Sequence, residues 1–140
     1  MVELTLDRIV NLAGDWTDDS RASDQFRDII EDEQTTTEEI EAYLHEALAG
    51  SDQHHNRALQ DIINNIGRRL GFEVEYGVYQ GRSDTIGYDG HWTSTATEDE
   101  THLIVETKKT TAYSIDPGQA GEYMSEFTDR DDVDRSQVYG

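Results

Sequence analysis

One stretch limits the folds open to this chain more than any other: His102-Leu103-Ile104-Val105-Glu106-Thr107-Lys108, apolar and β-branched at its centre. Such residues suit a pleated backbone, and a continuous apolar run of this kind marks a central strand. A central strand needs covering layers, so a mixed α/β domain with helices packed on the sheet is expected. At 140 residues there is room for one compact domain and a small helical appendage. No apolar run approaches the roughly 20 residues that cross a bilayer. Met1-Val2-Glu3-Leu4 lacks the basic start and apolar stretch of a secretory signal. The expected location is the cytoplasm, with no membrane partner. The absence of cysteine excludes a disulfide framework, a thiolate nucleophile and a Cys-based zinc site.

Upstream of this strand the apolar residues recur at helical spacing. Thr36 and Glu39 form a capping box ahead of Ile40, Tyr43, Leu44, Ala47 and Leu48, and Gly50 stops that helix. Residues 1–50 thus read as a helical extension, and residues 51–140 as the core. A second helix carries Leu59, Ile62, Ile63, Ile66 and Leu70 on one face. Phe72 to Tyr79 alternates as a half-buried strand. Asp84 to Tyr88 is expected as a second strand, Asp89-Gly90 as a turn, and His91 to Glu100 as an irregular connection. Gln119 to Phe127 reads as a helix. Only Val138 and Tyr139 remain to begin a last strand, fewer than the usual five or six residues. The central strand is therefore expected to expose an edge that a second copy or an assembly partner covers.

Charge narrows the setting. Against 31 acidic residues stand 11 basic ones, a formal net charge of −20. The acids are spread along the chain and interleaved with apolar residues, unlike a disordered acidic tail. Molar salt screens such repulsion within a few ångströms, so the surface suits a halophile. Lysine occurs twice, at Lys108 and Lys109. A chain that has otherwise dispensed with lysine needs at least one of this pair.

Glu106 and Lys108, two apart on a strand, point to one face. Charges on an apolar strand are costly unless they pair or bind metal. Asp84, at the start of the neighbouring strand, can reach the same place. Two carboxylates and an ammonium make a hard-cation site for magnesium, with manganese as an alternative. Lys108 would then orient the attacking water or neutralise charge at phosphorus.

These residues resemble the PD-(D/E)xK nuclease superfamily, in its RecB-like or Holliday-resolvase-like branches. Asp84 and Glu106-Thr107-Lys108 carry the core motif, and Gly81-Arg82-Ser83-Asp84 matches a Gly-x-x-Asp form. Gln119 and Tyr123 match a Gln-x-x-x-Tyr motif. The resemblance spans about residues 55–127. It implies a restriction-endonuclease-like mixed sheet flanked by helices, with Asp84, Glu106 and Lys108 catalytic. It further implies DNA as substrate, a metal on Asp84 and Glu106, and substrate contacts from Gln119, Tyr123, Lys109 and Arg82. A fourth ligand belongs on the helix before the first strand, where His55 is the choice and Gln60 and Asp61 lie near.

Two other functions fit the same residues. One is a non-cleaving nucleic-acid-binding or assembly module that keeps the fold. The other is an acidic protein-interaction domain, favoured by the scarcity of basic residues, since DNA binding relies on phosphate neutralisation.

Overall fold

The computed structural model of the chain describes residues 4–14, 16–18, 20–79, 87–96, 98–109, 117–131 and 138–139. Two compact units emerge, Met1–Asn65 and Ile66–Gly140. No helix among the described residues is long and apolar enough to cross a membrane.

The first unit is helical: α1 (Leu6–Ala13), α2 (Arg21–Glu31), α3 (Thr37–Ala49) and most of α4 (Gln53–Arg69). Hydroxyl side chains start the first three. Thr5 accepts from Arg8 N–H, Ser20 from Ser23 N–H, and Thr36 with Glu39 completes the expected capping box. Leu6, Ile9, Trp16, Phe26, Ile30, Ile40, Tyr43, Leu59 and Ile62 form the buried apolar set. Trp16 meets Phe26 edge-on, with ring centroids 4.8 Å apart.

The interior of α4 is not purely apolar. Arg57, Gln60, Asp61, Asn64 and Asn65 are all buried, whereas Leu70, expected on its apolar face, is 69% exposed. Partners make this burial tolerable. Arg27 Nη2 donates to the fully buried Asp61 at 3.1 Å. Arg57 donates to the Trp16 carbonyl, and Asn65 Nδ2 to that of Ile30 at 3.0 Å.

The second unit holds β1 (Glu73–Tyr76), β2 (Gly90–Ser94), β3 (Thr101–Val105), α5 (Pro117–Asp131) and β4 (Val138–Tyr139). The sheet order is β1-β2-β3-β4. The first three strands are antiparallel neighbours, and β4 pairs parallel to β3, as a connection through a helix permits. Register sorts the side chains. Val74, Trp92 and Leu103 share one face, while Glu75, His91 and Ile104 share the other with Thr93, His102 and Val138. Trp92 packs on Phe72 and on the last turns of α4. A Cβ at Gly67 would stand 2.6 Å from its indole, so glycine is what lets ring and helix meet. On the second face, Phe127 of α5 joins Ile104 and Val138 in a buried cluster.

Three expectations change. The second strand runs over 90–94, inside the stretch read as irregular; Gly87 and Tyr88 are in no strand, and the rest of the expected strand lies outside the described residues. Asp89-Gly90 is not a turn, because Gly90 already pairs with both Tyr76 and Val105. The side of β3 expected to lie open is paired at two positions, where Val138 and Tyr139 meet His102 and Leu103.

Candidate active site

Because Gly90 opens β2 opposite Val105, the last pair of β3, the residues just outside the ladder come together. These are Asp89 and Glu106. The Asp89 N–H donates to the Val105 carbonyl at 3.0 Å, and the Asp89 carbonyl accepts from Gly77 N–H at 2.9 Å. Its carboxylate accepts the backbone N–H of Thr107. Both its main chain and its side chain are thus fastened to the ends of neighbouring strands. Gly77 permits this. A Cβ there would stand 2.0 Å from the Tyr88 carbonyl oxygen and 2.6 Å from Asp89 backbone atoms.

Glu106 and Lys108 follow the last paired residue of β3 and remain on one side, with Lys108 Nζ 3.1 Å from Glu106 Oε2. Both are partly open to solvent, so the ion pair itself adds little stability. Asp89 feels both charges. Burial pushes its carboxyl up, the Thr107 N–H opposes that, Glu106 adds to the rise, and Lys108 again opposes. The outcome is a carboxyl lifted from 3.8 to about 6. A carboxyl that resists ionisation beside a second carboxylate marks a place short of positive charge.

The helix α5 brings one more expected residue near. Tyr123 packs with Tyr88 and Met124 against the Ile104–Phe127–Val138 cluster. Its hydroxyl would lie 3.2 Å from a Cβ at Gly87, two residues before Asp89. Gln119 sits one turn earlier on α5; its side chain, like Asp84 and Arg82 entirely, lies outside the described residues. Lys109 is half-buried just past Lys108.

His55 has a different setting, in the first unit. Its Nδ1 lies 2.8 Å from Asp52 and its Nε2 2.7 Å from Asp7, so both nitrogens already face carboxylates. Desolvation draws its proton affinity down, but the hydrogen bonds to Asp52 and Asp7, aided by their charges, raise it overall. The ring joins the start of α4 to α1. Asp61 likewise pairs with Arg27. Arg57 is buried on the Trp16 carbonyl.

Among the described residues, no three His, Cys, Asp or Glu side chains converge as a metal site. Asp89 and Glu106 offer two carboxylates, and two protein oxygens suit magnesium, which keeps much of its water. Asp89, read from sequence only as part of a turn, is the carboxylate that the structure brings beside Glu106. Its signal was the alternating Gly90-His91-Trp92-Thr93-Ser94 directly after it, which places an aspartate at a strand start, two residues before an inward-facing position. Comparison with protein-family models, with curated proteins and with solved structures gives no match to this chain.

Proposed function

We propose that the chain is a magnesium-dependent nuclease hydrolysing DNA phosphodiester bonds, with Asp89, Glu106 and Lys108 at its centre. One observation carries the reading: the start of β2 and the end of β3 hold two carboxylates and a lysine together, with the Asp89 carboxyl raised to about 6 beside Glu106. The succession of three antiparallel strands, a helix and a fourth strand beside the Glu106 strand supports it. That is the arrangement implied by the resemblance to PD-(D/E)xK nucleases. Asp89 here takes the role that sequence spacing gave to Asp84.

The donor set fits a hard divalent ion: Asp89 and Glu106 would hold it, and its charge would relieve the electrostatic cost of ionising Asp89. Magnesium, when bound, supplies charge neutralisation at phosphate and a more acidic water. Lys108 supplies a cation next to Glu106, positioned to stabilise negative charge developing at phosphorus. The Thr107 N–H fixes the Asp89 carboxylate, so the site is held before substrate arrives. Tyr123 stands on the same side, where its ring and hydroxyl would contact the strand being cut.

The test is cleavage of single-stranded, duplex and branched DNA with magnesium or manganese at molar potassium chloride. Asp89→Asn, Glu106→Gln and Lys108→Ala are each expected to lower the rate by about a hundredfold or more, the loss of one stabilising group worth about 3 kcal/mol. Asp84→Asn is expected to stay near wild type. The reverse ranking of the two aspartates would return the role to Asp84, and no cleavage by folded wild type on any substrate would reject the enzyme reading.

A further inference from the structure

The sheet face under α5 carries two buried histidines, His91 on β2 and His102 on β3. Their rings stack with centroids 5.2 Å apart, and Phe127 covers both. On the outer side, His91 Nδ1 lies 3.0 Å from Glu75 Oε2, and His102 Nε2 lies 3.4 Å from Glu100 Oε2. An ionised carboxylate only accepts hydrogen bonds, so these outer nitrogens carry the N–H. The inner nitrogens, His91 Nε2 and His102 Nδ1, then turn lone pairs toward each other at 3.0 Å. Thr93 Oγ1 stands 3.3 Å from one and 3.4 Å from the other. Its hydroxyl has a single proton and can satisfy only one of them. Two acceptors in contact, buried, stay unsatisfied unless a proton or a metal cation stands between them.

We propose that His91 Nε2, His102 Nδ1 and Thr93 Oγ1 form one face of a tetrahedral zinc site, separate from the Asp89 and Glu106 carboxylates. Donors bound at zinc's usual 2.0–2.1 Å stand about 3.3 Å apart around a tetrahedron. The three separations here, 3.0, 3.3 and 3.4 Å, fall within about 0.3 Å of the edges of such a face. The outer contacts resemble those of metal-bound imidazoles: His91 donates its other N–H to Glu75, and the other nitrogen of His102 faces the Glu100 carboxylate. Glu75 and Glu100 also supply the two negative charges that offset a divalent ion. Imidazole donors select zinc over magnesium, so the two sites would not compete for one ion. The third donor is a hydroxyl, so the affinity falls below that of an all-Cys/His site.

The experiment uses the full chain, stripped with a chelator and titrated first with Co²⁺ and then with Zn²⁺, without magnesium. The expected result is the strong visible absorption of tetrahedral cobalt, bleached by one equivalent of zinc. Long-range ¹H–¹⁵N histidine spectra of the wild type should show zinc shifting His91 Nε2 and His102 Nδ1 while the outer nitrogens keep their protons. His102→Gln should weaken zinc binding about tenfold or more, and Glu106→Gln should leave it unchanged. If zinc leaves both inner nitrogens unmoved, with a proton shared between them instead, the proposal is overturned. It is equally overturned if zinc binding survives His102→Gln and is lost in Glu106→Gln. Should His102→Gln fail to fold, the wild-type spectra decide alone.

Discussion

Single positions here carry consequences larger than their size. Gly77→Ala would drive a methyl group against the backbone of Tyr88 and Asp89. Backbone cannot yield as a flexible side chain can, so urea unfolding should show a loss of about 2 kcal/mol or more. Magnesium binding, read by calorimetry at saturating salt, should fall with it, because Asp89 is what the methyl group displaces. Asp89 itself predicts a pH dependence of opposite sense to the usual carboxylate. Its folded value, about 6, lies above the ordinary 3.8, so its contribution is fully present below about pH 4 and is lost as pH rises through about 6. With a chelator present, Asp89→Asn should therefore be more stable than wild type at pH 7, by up to about 3 kcal/mol. Equal stability of the two proteins across pH 4–7 in thermal melts would deny that strain.

At the scale of elements, one histidine ties the start of α4 to α1 across the helical unit. His55 has its proton affinity raised on balance, so its contribution is whole below pH 6.5 and is lost as pH climbs through the higher folded value. His55→Gln should lower the melting temperature more at pH 6 than at pH 9. A uniform drop would mean packing alone is at stake. The same ring explains Gly50. The sequence marks it as a helix stop, yet its φ of −72° is open to any residue, and the constraint is spatial: a Cβ would stand 2.2 Å from the imidazole. The capping box at Thr36 and the β3 strand were legible from the chain because their rules are local. The β2 strand was not. Its inward positions are His91 and Thr93, which look polar until Phe127 and the partner histidine are known to cover them. Asp89 was misread for a related reason. Asp-Gly is strong turn chemistry, and only the pairing of Gly90 on both sides shows that the strand has already begun. Of the expected site, Glu106 and Lys108 do lie together, though just past the end of β3 rather than on it, whereas a carboxylate beside them depends on a register that local patterns do not set.

Over the whole molecule, charge dominates. A net −20 on 140 residues repels itself at long range in dilute buffer, and each unit has a small apolar core to resist it. Circular dichroism from about 0.1 to 3 M potassium chloride, where the Debye length shrinks from about 10 Å to below 3 Å, should show helix gained with salt. Full helicity at the low end would remove the salt-adapted reading. The pairing of β4 has a further outcome in time. The β1–β2–β3 meander closes through shorter connections than the one that the register of His102 with Val138 closes. Ring closure of that length is entropically slower, so the meander should condense first and Val138 should dock last. Until it docks, β3 has an open side and the nascent protein is briefly adhesive, which makes refolding yield, more than final stability, the quantity sensitive to protein concentration.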